Sequence, residues 1–529
     1  MSRFAGTAAL VRLALRRDRL RIPLWVLGIA GLVYASGSAV AGVYDDRASI
    51  DAYANLVGGS PMTVAFAGPP VGLHTLAGIV VYETSFTAVV GVALMAVMTT
   101  TRHTRAEEES GRSELLRSTE VGRHAGGLAG LVTCGIACVA LGLALWAALA
   151  STAMSVAAAG LFAAGMTLLG LVLAAVTLCL AQLFTHARTA TGAGVAFFAV
   201  GYVVRAAGDV REDWLVWLSP VGWVQATHVP TENRWWPLLV PLAATVLLVW
   251  LAVVLAERRD FGGGLLPARP GRPHAPWSLT GTVGLAWRLQ RGAVLGWSVG
   301  LLLGGALTGG LGSAMQDMVE ENPTLAEYLT VTEGASVLDS YLATMVLILA
   351  LTTGGYAVWA AGHTGVDESD GRLELLLAGP LDRRRWMLGE LFVAGAGTVV
   401  VLLAAAVGIG VAHGAVTDDA GEGWRAFTAQ LAYLPALLVL VGLVAVVRGW
   451  RPGWSFVGWV VLAFCFVVGW LGGLLQPPEW VADLSPFSHV PRVPVDRVAD
   501  PALAGLLLVA VALAAVGVVG FRRRDVGVG

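Results

Sequence analysis

The chain has 529 residues, of which 56% are hydrophobic and only 13% are charged, and its mean hydropathy is +0.73. This composition excludes a soluble globular domain and is typical of an integral membrane protein. The net charge of −2 argues against a nucleic-acid-binding protein, because such a protein carries a concentrated basic surface.

The first segment, residues 1–21, has the pattern of an amphipathic helix. Apolar side chains recur at helical spacing at Phe4, Ala8, Val11 and Leu15. Arginines fall on the other side at Arg12, Arg16 and Arg19. We interpret the segment as a helix at the cytoplasmic membrane interface, with a solvated basic leader as the alternative for residues 1–7.

Twelve apolar runs are long enough to cross a bilayer, which requires about 20 helical residues. The first six are residues 22–43, 78–99, 126–149, 156–183, 190–207 and 237–256. The other six are residues 292–312, 341–361, 391–411, 431–447, 454–475 and 502–521. The sequence therefore predicts an all-α polytopic membrane protein.

The arginines indicate how the spans are oriented. They concentrate in alternate loops, whereas residues 313–340 carry six acidic side chains and no arginine. Because basic residues favour the cytoplasmic side, this distribution places both termini in the cytoplasm.

The chain also contains an internal repeat. Leu218-Ser219-Pro220 recurs as Leu484-Ser485-Pro486, and Arg258-Arg259-Asp260 recurs as Arg523-Arg524-Asp525. An even number of spans in each half makes the repeats parallel. We predict two six-span halves, residues 1–260 and 281–529, joined by a Gly/Pro-rich cytoplasmic linker at residues 261–280.

The clearest repeat is a polar loop that follows the second span of each half. Residues 103–116, HTRAEEESGRSELL, match residues 363–376, HTGVDESDGRLELL, when 260 is added to each number. The leucines and the charges have spacings that put them on opposite sides of a short helix, as expected of a membrane-surface segment beside another protein. The candidate contact residues are Glu107, Glu108, Gly111, Arg112, Glu114, Asp367, Glu368, Gly371, Arg372 and Glu374.

Two ionisable residues lie within predicted spans, Glu83 and Arg205. Charge in hydrocarbon is costly, so each is a candidate for a translocation path, with a structural position near the interface as the alternative. A separate pattern, glycine at every fourth position from Gly292 to Gly304, predicts a stripe where another helix approaches closely.

We find no catalytic machinery in the sequence. A Walker A loop needs a lysine, and this chain has none. The four cysteines lie in apolar runs without zinc-ligand spacing, and no zinc helix or nucleophile elbow is present. We therefore expect no enzyme activity, no metal and no cofactor of its own.

The repeated loop resembles the cytoplasmic loop of type-2 ATP-binding-cassette (ABC) exporter permeases. Its pattern is Glu-x-x-Gly-x-x-Glu-Leu-Leu followed by a proline and an arginine, which in the second copy are Pro380 and Arg383. The first copy has Glu120 in place of the proline. Two fused six-span halves in a lysine-free, alanine-rich chain are similar to the actinobacterial antibiotic exporter permeases grouped with tetronasin and other polyketide exporters.

This resemblance implies an exporter in the bacterial plasma membrane that moves amphipathic drugs, antibiotics or lipid-like molecules. Two copies of a separate ATPase subunit, which carries ATP and Mg²⁺, would dock on the two loops. In this hypothesis Glu108, Glu114, Glu368 and Glu374 face the ATPase, while Leu115, Leu116, Leu375 and Leu376 anchor each short helix to its flanking spans. A secondary transporter and a membrane assembly or scaffold protein remain the alternatives.

Overall fold

The structure is a computed structural model. It describes residues 3–44, 46–58, 61–111, 121–260, 262–266, 274, 276, 279, 281–310, 337–363, 365, 368, 371–475, 478–491 and 501–525. All regular elements in these ranges are helices, and the chain divides into two compact units, Met1–Gly271 and Arg272–Gly529.

Unit 1 contains eleven α-helices within the described residues. They are α1 (Thr7–Arg17), α2 (Arg21–Val43), α3 (Arg47–Gly58), α4 (Pro61–Ala67), α5 (Leu76–His103), α6 (Arg105–Glu109), α7 (Ala125–Ala150), α8 (Val156–Leu183), α9 (Ala187–Arg211), α10 (Pro220–Gln225) and α11 (Leu239–Glu257). Short 3-10 helices lie at Trp214–Leu218 and Trp236–Leu238.

Unit 2 contains nine α-helices within the described residues. They are α12 (Thr282–Gly310), α13 (Val337–Gly362), α14 (Arg372–Leu377), α15 (Arg383–Val416), α16 (Ala420–Leu431), α17 (Leu434–Trp450), α18 (Val457–Leu475), α19 (Glu479–Ala482) and α20 (Pro501–Arg523). A 3-10 helix lies at Pro452–Trp454.

The predicted number of spans is confirmed. Twelve helical segments in the described part of the chain are long and apolar enough to cross a membrane, six in each unit. Several run past the predicted apolar stretch; α15, for example, begins at Arg383 and has 34 residues. A helix needs apolar side chains only where it meets hydrocarbon, so its charged end continues into the interface.

Side-chain caps fix where individual helices begin. The Thr75 hydroxyl accepts a hydrogen bond from the Gly78 amide at 3.1 Å before α5, and Ser155 accepts one from the Ala158 amide at 3.2 Å before α8. Such caps satisfy amide groups that have no partner within the helix.

Each unit buries its own core. In unit 1 most of α8 is buried, whereas few residues of α9 and α11 are buried, as expected of helices that face lipid. Val89, Leu141 and Leu169 belong to this core. In unit 2 the core lies between α13, α15 and α17, where Val346 and Leu440 are fully buried.

A close helix contact in unit 2 joins α12 to α15 through small residues. A Cβ atom added to Gly305 would lie 2.5 Å from the Ala405 carbonyl oxygen, and one added to Gly408 would lie 2.2 Å from the Leu302 oxygen. The backbones can approach this closely only because neither glycine has a side chain.

At Gly292, Gly296 and Gly300 the predicted glycine stripe is therefore not covered by another helix of unit 2, whereas a Cβ atom at Gly304 would touch Leu349 Cδ2 at 3.7 Å. A Cβ atom at Gly292, Gly296 or Gly300 would meet no atom within 4 Å. Four-residue spacing identifies a smooth helix face, but the stripe through Gly305 and Gly309 is the one that α15 covers. The choice between the two faces depends on the partner helix, which spacing alone does not reveal.

A pair of substitutions tests this packing. Gly408→Leu should force α12 and α15 apart and lower the thermal midpoint of the purified chain, since overpacking costs about 1–3 kcal/mol. Gly296→Leu adds the same side chain on an open face and should leave the midpoint near that of the wild type. Equal midpoints for the two variants in a fluorescence size-exclusion melting assay would contradict the assigned contact.

Candidate functional site

Both repeated loops turn at their central glycine. Gly111 has φ of +73° and Gly371 has φ of +70°, a backbone conformation that side-chain-bearing residues rarely adopt. In the first loop the turn follows α6; in the second it precedes α14. This conformation lets the backbone turn sharply at the two positions.

The first loop is held by a buried arginine, Arg105, which is almost inaccessible to solvent. Its Nε donates to the Thr185 carbonyl at 2.7 Å, beyond the end of α8. Its two terminal nitrogens donate to the carbonyls of Gly263 at 2.9 Å and Gly262 at 2.6 Å. One guanidinium thus ties α6 to two other segments at this end of unit 1, which we call the loop end.

Glu108 balances this buried charge. Its Oε2 lies 2.7 Å from Arg105 Nη1, and its Oε1 lies 2.5 Å from Arg259 Nη2. Arg259 follows the last span of the half and also donates through Nε to Gln182 Oε1 at 2.6 Å. Because the Glu108 side chain is only 17% exposed, the contacts form a largely desolvated Arg–Glu–Arg cluster.

The second loop has the same kind of cluster around Glu368, whose side chain is 11% exposed. Arg524 binds both of its oxygens, with Nη2 2.7 Å from Oε2. Arg448 Nη2 lies 3.3 Å from the same Oε2. Glu108 and Glu368 occupy equivalent repeat positions, and so do Arg259 and Arg524. We call the two clusters the Arg–Glu–Arg clamps.

The second cation comes from different elements in the two clamps. The position equivalent to Arg105 is Gly365, and a Cβ atom there would lie 2.3 Å from Arg448 Nη2. The Arg448 guanidinium, carried by α17, fills this space. Unit 2 therefore replaces an arginine of the loop with an arginine of a span.

The structure pairs Glu108 and Glu368, which were expected to face the ATPase, with arginines of the same chain, and their contact with an ATPase stays a prediction. Arg259, which binds Glu108, is 151 positions away from it in the sequence. Arg524, which binds Glu368, is 156 positions away from it. The sequence contained a signal for the clamps in the repeated Arg-Arg-Asp triplet, but periodicity does not pair residues so far apart.

The structure also differs from the prediction in the leucine that anchors the second loop. Leu375 is 79% exposed, whereas Leu373 is completely buried against the core of unit 2. The side of α14 that faces away from the core carries Leu375 and the exposed Glu374. Leu373 is thus the anchor, and Leu375 is available to a partner.

Some predicted site residues cannot be placed. Arg112, Glu114, Leu115, Leu116 and Asp367 lie outside the described residues. Glu107 and Arg372 are described, and Glu107 Oε1 lies 2.6 Å from Arg17 Nη1 on α1.

An acid that sequence analysis missed connects α1 to α5. The buried Asp18 lies 3.0 Å from Arg102 Nε and 2.7 Å from His103 Nε2 through its two oxygens. It follows α1, whose buried residue is Ala14, while Phe4 of the predicted apolar face is 45% exposed. In the sequence, the feature that could have indicated this contact is a single acidic residue, Asp18, within a run of arginines.

Glu83 and Arg205 both hold the α3–α4 segment. Glu83 accepts a hydrogen bond from the Tyr53 hydroxyl of α3. Burial, and then the Glu83 charge, raise the pKa of Tyr53, which keeps its phenol protonated as the donor. Arg205 is fully buried and donates to the carbonyls of Ala65 at 2.6 Å and Phe66 at 3.2 Å.

The Arg205 side chain is therefore enclosed by protein rather than exposed to solvent. Its Nη1 lies 3.0 Å from Asp209 Oδ2 one turn later on α9, so the buried cation is paired. Its donors satisfy carbonyls at the end of α4 that have no partner within that helix. A role for Glu83 or Arg205 in a translocation path stays a prediction.

The clamps predict a stability difference between neighbouring glutamates. Glu368→Gln would leave Arg448 and Arg524 as buried cations without their anion, and removing one partner of a buried ion pair costs about 3–5 kcal/mol. Glu374→Gln removes an exposed charge and should change stability by less than about 0.5 kcal/mol. Thermal melting of the two variants in detergent provides the comparison, and indistinguishable midpoints would refute the clamp.

Comparisons with known proteins identify the family. A family model described as "Multidrug efflux system permease Rv1217c, C-terminal domain" matches residues 8–255 and 279–522. The multidrug efflux system permease protein Rv1217c of Mycobacterium tuberculosis is 36% identical over 531 residues, which cover 99% of this chain and 96% of that protein. The chain therefore belongs to the family of the multidrug efflux system permease Rv1217c, with the twelve apolar helices of a multi-pass membrane permease.

Proposed function

We propose that this chain is the transmembrane permease subunit of an ATP-driven ABC exporter that moves amphipathic drugs or antibiotics. The family, the twelve spans and the two polar loops support this function. The Mycobacterium tuberculosis relative is a multidrug efflux system permease protein, and this supports the proposed substrate class. A polyketide antibiotic of the tetronasin type is the finer proposal, supported by the composition and the fused-half layout of the sequence.

ATP hydrolysis is assigned to a separate subunit. The chain has no lysine for a Walker A loop, so we assign ATP and Mg²⁺ to the partner. The arginine distribution supports a plasma-membrane protein with both termini and both loops in the cytoplasm. Two loops of the same pattern support two ATPase copies for each chain.

The observation that carries the proposal is the outward face of α14. Leu375 is 79% exposed, although the loop around it is polar and predicted to face water. An exposed leucine beside Glu374 on a short helix suits a protein contact, in which a buried apolar anchor supplies much of the affinity. The same loop is fixed to two spans by the clamp on Glu368, so force applied to α14 reaches the membrane helices.

Substitution of Leu375 tests this contact. Leu375→Glu should reduce the amount of ATPase recovered with the tagged chain about 10-fold or more, because loss of a central apolar anchor typically costs 2 kcal/mol or more. The matched control is Leu484→Glu, which alters an exposed leucine of unit 2 near Phe487, a residue that packs against Tyr433 at the opposite end of α17 from Arg448. Wild-type chain should bring down two ATPase copies, measured by native mass spectrometry.

Two results would count against the proposal. Equal ATPase recovery with Leu375→Glu and Leu484→Glu would exclude α14 as the contact. ATP turnover by the purified chain alone, above that of a preparation from cells without it, would contradict the separate ATPase.

A further inference from the structure

Three arginines at the start of the chain face away from the protein. Arg12 and Arg16 lie one turn apart on α1, on the side opposite the buried Ala14, and Arg19 follows in the turn that leads to α2. All three are exposed, and α1 itself contains no acidic residue. Within the residues that the structure describes, none of the three lies within salt-bridge distance of a carboxylate.

The charges that face the protein are paired there. Arg17 Nη1 lies 2.6 Å from Glu107 Oε1. Asp18, directly after α1, binds Arg102 and His103 through its two oxygens. The acids beside α1 thus pair with inward charges, and the outward arginines are left available to an external anion.

Exposed leucines adjoin the three arginines. Leu13 and Leu20 are 43% and 71% exposed, and Leu24 continues this apolar surface one turn later on α2. Because α2 is long and apolar enough to cross a membrane and most of its residues are not buried, the surface faces hydrocarbon. The arginines consequently lie where the hydrocarbon ends, at the depth of the phospholipid headgroups.

We propose that Arg12, Arg16 and Arg19 bind the phosphate groups of anionic phospholipids, whose acyl chains lie against Leu20 and Leu24. Guanidinium groups make charge-assisted hydrogen bonds to phosphate oxygens. A phosphatidylcholine headgroup carries the same phosphate with a covalently attached cation, which weakens the attraction. Each arginine near an anionic membrane surface strengthens binding about 5-fold.

The exposed leucines favour a lipid over other anions. An acidic surface of a partner protein would also suit three arginines, but Leu20 and Leu24 continue directly into the face of a membrane-spanning helix. A soluble phosphate compound has no acyl chain to cover these leucines. An anionic phospholipid supplies both the negative charge and the apolar chain.

The internal repeat supports a separate role for the outward arginines. Adding 272 to the numbers of Arg16 and Arg19 gives Arg288 and Arg291 of α12, which are also exposed. The two inward positions between them carry no charge in unit 2. The outward arginines thus recur in the second half although their charged inward neighbours do not.

The same helix is connected to both sides of the first repeated loop. Arg17 binds Glu107 before the loop turns at Gly111, and the Gly122 amide after it donates to the Ala5 carbonyl at 3.0 Å. Headgroups bound to α1 therefore hold the segment that brackets this loop. The lipid site goes beyond the permease function, and because lipid binding needs no ATPase, its failure would leave that function standing.

Photolabelling in nanodiscs tests the site. The full-length chain is placed in phosphatidylcholine nanodiscs with equal amounts of two probes, a phosphatidylglycerol and a phosphatidylcholine that share one diazirine-bearing acyl chain. Mass spectrometry then gives the ratio of the two labels on each peptide. Peptides from α1 and the first turns of α2 should carry at least about 5-fold more of the glycerol probe, the contribution of one arginine. In 1 M NaCl this ratio should fall, because salt screens exposed charges.

Two triple variants separate charge from side-chain shape. The variant Arg12→Gln, Arg16→Gln, Arg19→Gln should bring the ratio on α1 and α2 to about 1. The variant Arg12→Lys, Arg16→Lys, Arg19→Lys keeps the charge and should retain at least about half of the wild-type ratio, because lysine binds phosphate as a point charge. Retention in the lysine variant shows that the helix is still folded against the protein.

A matched control removes the same charge elsewhere. Arg384, Arg385 and Arg522 are exposed arginines of unit 2. The variant Arg384→Gln, Arg385→Gln, Arg522→Gln lowers the net charge of the chain by the same amount and should leave the ratio on α1 and α2 at the wild-type value. Equal loss in this control would show a general effect of net charge and would overturn the site.

Three further results would also overturn it. The first is a ratio of about 1 on α1 and α2 of the wild type, or an unchanged ratio in the glutamine variant of α1. The second is displacement of the glycerol probe by inorganic phosphate at constant ionic strength, which would assign the arginines to a soluble anion. The third is loss of co-purified ATPase from that glutamine variant with an unchanged lipid ratio, which would assign them to a protein.

Discussion

In each unit, the end that carries the repeated loop depends on one electrostatic constraint. Arginine side chains removed from water need an anion beside them. Arg105 and Arg259 meet this requirement with Glu108, and Arg448 and Arg524 meet it with Glu368. A carboxylate shared by two guanidiniums has its oxygens largely occupied, so it has little capacity left for a partner protein. In the second loop the clamp therefore sets a division of roles, because buried charges fix the loop to the spans and outward residues of α14 are left for contacts.

The two halves reach this arrangement by different routes. In unit 1 the loop itself supplies the second arginine, and α1 is connected through Asp18 to the end of α5. In unit 2 the loop has Gly365 at that position, and α17 supplies Arg448. Duplicated halves thus keep the cluster while changing the helix that is connected to it. Movement of the second loop would act directly on α17, whereas the first loop acts on the segments around Thr185 and Gly263.

The sequence predicted what depends on local composition and on repetition. Hydropathy located the twelve spans, and the shift of 260 located both loops. It did not predict that Glu108 binds Arg259 or that Glu368 binds Arg524, because each of these two ion pairs joins residues more than 150 positions apart. It also placed the anchors of the second loop at Leu375 and Leu376, whereas Leu373 is the buried leucine, since four leucines on a six-residue helix do not indicate which one faces the core. The sequence did not predict which glycine stripe of α12 packs against α15, because the covering helix decides which face is used.

The central claim is that each loop and the end of its last span form one mechanical unit. The most direct measurement is a pair of experimental structures of the chain with its ATPase, one without nucleotide and one with bound ATP. We expect the side chains of Glu108 and Arg259, and those of Glu368 and Arg524, to stay within salt-bridge distance in both states while the spans move. Separation of either pair in one of the two states would contradict it.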